Sequence, residues 1–442
     1  MALEQTITNM PQNRSHHSSA NALINTIFSK LDIPSSLKSG LLTPVLKKDK
    51  DPTTQGNYRG ITVTRSFSKI LECIIKSRID PILNQTQNSL QRGFTEKVSS
   101  LNAALIVSEA HHYADTKGWP FYLATLDAEK AFDTVHHEIL FNKIFHDGIN
   151  GDMWILLRNV YRDMSVKVKW KGTTSNPISL TQCIRQGAKL STTLYKRYIN
   201  TILDSIARSH MGATIGTLLV SSPTCADDIA LIANTRAELQ GMLDLVQYNT
   251  NRDLVKINAT KSEIVTSAKT KDKDSFIFNG QNIEQTSSTK HLGITRTKFC
   301  KVNIEDRLQS GRRTIYAMLG PGLKSMVGLV ALKIRKTYAL PRCIYGMETQ
   351  TYSKSDMERD WSAIKGKYVG SCINYLNDVH LQQYLYALLG VEPIETAIDR
   401  NMLYSSWALP DNQTLLNSRF YSVSYIWLIH MTRTLFVVSE KI

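Results

Sequence analysis

Three carboxylates in two distant segments carry the strongest chemical signal in this chain. Asp127 follows the apolar run Phe121 to Leu126, and Asp227-Asp228 follow Cys225-Ala226 and precede Ile229-Ala230-Leu231-Ile232. Each acid stands where a strand should meet a turn. A carboxylate there loses hydration unless something compensates, and the usual compensation is a divalent cation. Two aspartates from neighbouring strand ends can hold a pair of magnesium ions that clamp both the attacking and the leaving oxygen of a phosphoryl transfer. An isolated Asp-Asp pair is a weak sign, because acids are common at exposed turns. Its weight depends on the elements around it.

Those elements belong to a chain of 442 residues, long enough for two or three domains with cores of their own. Lys and Arg number 53 against 38 Asp and Glu, a net charge of +15 that favours a polyanionic partner. The excess is concentrated between Thr297 and Gly370, with 14 basic residues against 6 acidic. Six scattered cysteines without a CxxC pair form neither a zinc pattern nor a disulfide framework, which points to a reducing intracellular compartment. The first 20 residues are polar and unlike a signal peptide. His430 and Arg433 interrupt the apolar stretch Tyr421 to Val438, so a buried helix or strand pair is expected there and no membrane partner.

Periodicity organises the rest. Ile70, Ile74 and Ile75 give Ser66 to Ile82 a helical spacing, and Ser99 or Ser100 is placed to cap a helix carrying Leu101, Leu105 and Val107. Phe121 to Leu126 reads as a strand covered on both faces. Helices follow around Ile139 to Ile144 and from Asp152 to Tyr161. Val166, Val168 and Trp170 then alternate with Lys167, Lys169 and Lys171 in a strand with one apolar and one cationic face. Leu194, Tyr198, Ile202 and Ile206 form a helical stripe. Gly216 to Ala233 reads as a hairpin with Asp227 and Asp228 near its turn, and Thr235 to Glu238 as a capping box. Phe276 to Gly280 is a strand entering a hairpin turn, and beyond Thr297 the pattern becomes helical and basic, with Ile304, Leu308, Ile315 and Leu319 on one face. Mixed strands and helices followed by helices make an α+β chain with an appended helical part.

Short blocks in a fixed order now acquire meaning. They are Asn57-Tyr58-Arg59-Gly60-Ile61, Gln91-Arg92-Gly93-Phe94 with Ser99, Leu126 to Asp133, Arg185-Gln186-Gly187, Tyr198-Ile199-Asn200, Ala226-Asp227-Asp228, Asn258 with Lys261, and His291-Leu292-Gly293. With these blocks the chain resembles the reverse transcriptase region of non-LTR (LINE-type) retrotransposons, especially those of invertebrates, over roughly Ile33 to Arg400. The resemblance implies a right-hand polymerase fold: a lead-in at 1–20 read as disordered, fingers at 21–118, and a palm with an antiparallel sheet at 119–296. That palm includes a primer-grip hairpin at Leu292-Gly293 and some interleaved finger elements. A helical, basic thumb at 297–375 and a C-terminal extension at 376–442 complete it. The implied activity is RNA-templated DNA synthesis from a DNA primer with dNTPs and two Mg²⁺ ions, for which Mn²⁺ can substitute. The implied setting is intracellular, in nucleus and cytoplasm as a ribonucleoprotein; oligomeric state is not indicated. Relatives usually carry an endonuclease domain before this region. Its absence here suggests a partial reading frame, and target cleavage is not expected of this chain alone.

Roles carry over residue by residue. Asp127 and Asp227 match the ligands of both metals, the carbonyl of Ala128 matches a further ligand, and Asp228 matches the supporting carboxylate. Lys261 matches a lysine proposed to protonate departing pyrophosphate. Arg59 matches a fingers arginine whose planar fork suits phosphate oxygens, with Lys48 and Lys50 as further phosphate contacts. Phe132 matches the ring that excludes a 2′-hydroxyl, although an aromatic at this spacing is also an ordinary core residue. Gln186 and Gly187 match the turn beside the nucleotide. Arg307, Arg312, Arg313, Lys324, Lys333, Arg335 and Lys336 match thumb positions suited to salt-sensitive contacts with a nucleic-acid backbone, where a solvated face is the plain alternative. Asp133 has a structural role on this reading.

Two departures stand out. Cys225 replaces an aromatic, which removes packing but no ligand. Lys189 in Ala188-Lys189-Leu190-Ser191 replaces a proline, which should loosen that turn. The competing readings are a relic that binds nucleic acid without synthesis and a different two-metal phosphotransferase such as a nuclease. The Arg-Gln-Gly block and Phe132 disfavour the nuclease, which has no use for a sugar gate.

Overall fold

Three- and four-residue apolar spacing builds the helices of this chain, and alternating or continuous apolar runs build its strands. The computed structural model describes residues 14–267, 275–297 and parts of 306–349. Helix α1 (Arg14–Lys30) leads through a helical turn at Ser35–Lys38 into β1 (Ser39–Leu46) and β2 (Tyr58–Thr64). Helices α2 (Ser66–Leu83) and α3 (Ser100–Lys117) precede β3 (Tyr122–Ala128). Next come α4 (His137–His146), α5 (Gly151–Tyr161), β4 (Ser165–Trp170), β5 (Thr173–Thr174) and β6 (Ile178–Ser179). After α6 (Ser191–Ser209) the chain forms β7 (Thr214–Ile215), β8 (Leu218–Leu219) and β9 (Asp228–Ala233). Helix α7 (Arg236–Arg252) is followed by β10 (Ile257–Thr266), β11 (Phe276–Phe278), β12 (Gln281–Gln285), β13 (Ser288–His291) and β14 (Ile294–Thr297).

Helix α1 begins at Arg14, within the segment whose polar composition reads as a disordered lead-in. Once the turn around Leu23, Ile24 and Ile27 is fixed, each added residue costs only propagation, so the helix extends back through polar sequence. The residues cluster into two compact units, one comprising the chain through Asn88, Glu129–Ile202 and Asn249–Lys256, the other Ser89–Ala128, Leu203–Tyr248 and the residues from Ile257 onward. The second unit begins at Ser89, and the first takes in 129–202, part of the span in which interleaved finger elements are expected. Packing gives the reason. Leu105, Ile106, Val107, Ala110 and Ala114 of α3 bury against Phe121, Leu123, Ala230, Ile232 and Val265, so α3 covers the sheet containing β3.

In the first unit the sheet order is β2-β1-β4-β5 with β6 also on β4, and β1 runs antiparallel to β2 and parallel to β4. Val166 is buried while Lys167 and Lys169 face water, as the alternation requires. Trp170 is exposed and meets Tyr58 edge-on at 5.4 Å. The stripe Leu194, Tyr198, Ile202 and Ile206 is buried throughout α6.

The second unit holds the sheet β11-β12-β10-β3-β9, in which β3 is antiparallel to both β9 and β10. The expected capping box forms: the Thr235 hydroxyl accepts from Glu238 N–H at 3.2 Å and donates to its carboxylate at 2.9 Å. Asn279 and Gly280 both take positive φ in the expected turn between β11 and β12. The hairpin expected over Gly216 to Ala233 is shorter than its pattern. β7 and β8 turn at Gly216, and the returning arm is irregular up to Cys225; within it the Thr224 backbone pairs with Leu90 and Arg92.

β13 and β14 form a tight hairpin turning at Leu292 and Gly293, both at positive φ. Arg296 anchors it to α3 by donating to the Ala104 carbonyl at 2.7 Å and the Ser108 hydroxyl at 3.0 Å. Beside it, His291 is buried, and burial, then the Arg296 charge, push its pKa down to about 3. A native imidazole that stays neutral while the unfolded one titrates near 6.5 makes folding weaken as pH falls from about 6.5 toward 3. We expect His291→Leu to remove that sensitivity, worth about 2 kcal/mol at pH 5 in denaturant titrations. Equal acid dependence in both proteins would refute it.

Candidate active site

The antiparallel register brings the acids together. Asp127, at the penultimate position of β3, is paired with Asp228 on β9 and with Asn258 on β10. Buried Leu126, Ile229 and Ala230 hold the strands beneath them. Cys225 and Asp228 exchange two backbone hydrogen bonds of 3.0 and 3.1 Å, closing a tight turn over Ala226 and Asp227, with Ala226 at φ 59°. Asp227 is half-buried and Asp228 reaches solvent. Lost hydration, then the charges of Asp227 and Asp127, push the Asp228 carboxyl up to about 6. Burial, then the charges of Asp228 and Asp227, push the Cys225 thiol up to about 11. Such a field is what a hard cation with oxygen ligands neutralises. Among the described residues, no three acidic, histidine or cysteine side chains converge closely enough to enclose a metal ion. The carboxylates share one sheet end without forming a closed shell.

Lys261 joins them through an irregularity in β10, whose register shifts between Asn258 and Glu263. Asn258 Oδ1 accepts from the N–H groups of Thr260 and Lys261 at 3.0 and 3.2 Å, pinning the bulge. The Ser262 hydroxyl donates to the Asn258 carbonyl at 2.7 Å and accepts from Asp127 N–H at 3.2 Å. The Lys261 ammonium ends 3.7 Å from Asp127 Oδ2. Both side chains are exposed, so the pair adds little stability. Asp127, Ala128, Asp227, Asp228 and Lys261 are thus gathered at one end of one sheet.

The residues expected beside the nucleotide belong to the other unit. Arg59 lies on β2 opposite Val45 with its side chain exposed, and Lys48 and Lys50 are exposed in the loop after β1. Gln186 offers its carbonyl to Thr62 N–H at 2.9 Å, which ties the Arg-Gln-Gly turn to β2. Gly187 has φ +104°, and a Cβ there would stand 3.2 Å from the Thr62 carbonyl, so both conformation and space call for glycine. Phe132 is half-buried and stacks on buried Tyr195, with centroids 5.0 Å apart and planes 14° from parallel. Burial raises the Asp133 pKa despite nearby Lys130 and Lys47.

One residue of this region escaped the motif reading. Glu72 is buried, 3.6 Å from the Arg185 guanidinium, and accepts the Lys189 N–H at 2.7 Å. The signal was present: Ser68, Glu72, Ile75 and Ile79 form one buried helical stripe, and an acid on such a stripe demands a partner. The pairing also corrects the expectation for Lys189. Proline at that position would have no N–H to give Glu72, so lysine substitutes a hydrogen bond for the ring's rigidity and the turn is not loose.

Of the thumb candidates, Arg307 is half-buried and lies over the Tyr345 ring at 5.1 Å, and Arg313 is exposed on a helical segment. Tyr345 in turn donates to the Leu292 carbonyl at 2.9 Å. Arg312, Lys324, Lys333, Arg335, Lys336 and the extension at 376–442, with its apolar stretch Tyr421 to Val438, lie outside the described residues. Among the described residues, no helix is long and apolar enough to cross a membrane.

Residues 45–296, more than half of the chain, match the family model for reverse transcriptase (RNA-dependent DNA polymerase). The chain belongs to the reverse transcriptase family. Similar proteins include the Pol polyprotein from the type-2 retrotransposable element R2DM of Drosophila melanogaster, 25% identical over 56% of this chain and 24% of its own length. The RNA-directed DNA polymerase from mobile element jockey of the same species is 25% identical over 74% of this chain and 36% of its length. The R2 Pol polyprotein of Nasonia vitripennis is 26% identical over 72% and 31%. The chain spans about a quarter to just over a third of these relatives. Apo telomerase from Candida tropicalis is similar in structure, with a TM-score of 0.48 and 11% identity over 91% of this chain and 73% of that one. The LINE-type resemblance and the α+β reverse transcriptase fold are borne out.

Proposed function

We infer that this reverse transcriptase is an RNA-directed DNA polymerase that extends a DNA primer with dNTPs by a two-metal-ion mechanism, serving retrotransposition. The observation that carries the reading is the register of Asp127 against Asp228, with Asp227 in the adjoining turn, inside a chain of this family. A bound pair of divalent ions supplies positive charge to the triphosphate and the primer 3′ oxygen, the groups on which negative charge is concentrated.

The chain's own groups supply ligands, position and a proton. Asp127 and Asp227 offer hard oxygen ligands, the Ala128 carbonyl a further one, and Asp228 holds the field that favours the cations. Lys261 is the candidate proton donor to leaving pyrophosphate. Arg59 presents a fork for phosphate oxygens, with Lys48 and Lys50 adding charge in the adjacent loop. Gln186 and Gly187 form the close-approach turn for the nucleotide, and Phe132, fixed by Tyr195, is the sugar gate. Incorporation of dNTPs by the purified chain on an RNA template, abolished by a chelator and restored by Mg²⁺ or Mn²⁺, tests the reading. A folded chain that binds primer–template and extends nothing under either ion would contradict it.

The gate gives a separate expectation. Phe132→Val should raise incorporation of NTPs relative to dNTPs by about 10- to 100-fold, the range that steric discrimination of a small group supplies. An unchanged ratio with unchanged dNTP use would make Phe132 a packing residue only.

A further inference from the structure

The Ala226-Asp227-Asp228 turn is conformationally costly. Ala226 has φ 59° whereas Asp227 is not among the residues at positive φ, a II′-like pattern that normally places glycine first. A side chain in that position costs on the order of 1 kcal/mol and persists only where the surroundings over-determine it. The surroundings here are specific. The Gln91 side chain is buried, its Oε1 accepts from Ala226 N–H at 2.8 Å, and its Nε2 donates to the Ala226 carbonyl at 3.3 Å. One carboxamide therefore brackets both backbone groups of the strained residue.

The same oxygen accepts from Gly93 N–H at 2.8 Å, which fixes the rotamer. Arg92 N–H donates to the Thr224 carbonyl at 2.8 Å, and Thr224 N–H to the Leu90 carbonyl at 3.0 Å, so residues 90–93 form a strap along the arm of the turn. A Cβ on Gly93 would stand 2.1 Å from the Ala226 nitrogen and 2.7 Å from its Cα. No other residue type allows that approach.

We propose that Gln91 is a positioning residue that holds Ala226 in its left-handed conformation and so sets the directions of the Asp227 and Asp228 carboxylates. The proposal rests on the reading of those carboxylates as metal ligands. The Gln91 carboxamide bonds to the Ala226 and Gly93 backbone, so its effect passes through one backbone unit. Asn at 91 would fall short of Ala226, and Glu could accept both N–H groups but would lose the donated bond and add a fourth negative charge.

The test uses the full chain with Gln91→Leu, Gln91→Met, Ala226→Gly and each double variant. Gln91→Leu should lower kcat by about 10²-fold, as small misplacements of reacting groups do, with primer–template Kd unchanged. Mn²⁺ affinity of the folded chain, followed by electron paramagnetic resonance, should weaken by about tenfold, a readout independent of turnover. Because glycine accepts positive φ without strain, the double variant should be at least about tenfold more active than the product of the two single losses. Additive losses, or a Gln91→Leu enzyme with wild-type kcat and Mn²⁺ affinity, would overturn the proposal while the polymerase reading stands. Should Gln91→Leu fail to fold, Gln91→Met keeps the side-chain length and bears the same expectations. If the wild type neither binds Mn²⁺ nor extends a primer, the polymerase reading fails and the proposal falls with it.

Discussion

Asp127→Asn should lower primer extension by at least about 10³-fold, because it removes a charged oxygen ligand from the proposed metal site, where transition-state charge must be balanced. The same change leaves the metal-free protein melting no lower than wild type. Asp127 is one of the charges that raise the Asp228 carboxyl to about 6, so its removal relieves repulsion and lets that carboxyl fall toward its ordinary range. The pair it gives up with Lys261 is exposed on both sides and stabilises little. The sign of the pH effect follows. A native carboxyl that titrates above its unfolded value of 3.8 favours the fold at low pH, and that contribution is lost as pH rises through about 6. The Asp228 contribution to metal-free stability should decline across that window, against the opposite trend set by His291, and Asp127→Asn should shift that decline to lower pH. Loss of activity together with loss of folding would mark Asp127 as structural.

The second large effect is on stability. Glu72→Ala costs about 3–5 kcal/mol, because it strands a buried guanidinium and removes the acceptor of the Lys189 N–H. Against a total of about 5–15 kcal/mol for a folded domain, that is enough to unfold a marginal chain. Replacing both partners, Glu72→Leu with Arg185→Met, should recover most of the loss, since two apolar side chains leave no unpaired charge. Urea titration of the single and double variants measures both. A single-variant cost under about 1 kcal/mol would mean that water replaces the carboxylate, and that the Arg-Gln-Gly turn stands without it.

Local structure was legible wherever one face of one element decided it. The stripe Leu194, Tyr198, Ile202 and Ile206, the apolar run ending at Asp127, and the Thr235 capping box all appear as their spacing requires. The acids were legible as a group because strand ends are marked by where apolar runs stop. What the pattern could not supply was pairing across long separations. Gln91 meets Ala226 across 135 residues, and Lys189 meets Glu72 across 117. Hydrogen bonds of that kind leave no periodicity, so Gln91 was visible only as part of a block and Glu72 only as an acid on a buried stripe. Which sheet a helix covers is a further pairing of that kind. The apolar face of α3 shows that the helix is buried but not which sheet buries it.

The most direct test is primer extension on an RNA template by the purified chain, wild type beside Asp227→Ala, in Mg²⁺ and in Mn²⁺. The account predicts metal-dependent dNTP incorporation by the wild type and none by the variant, with both binding primer–template equally. A folded wild type that binds the duplex but adds no nucleotide with either ion, or an Asp227→Ala enzyme that still extends, would contradict it.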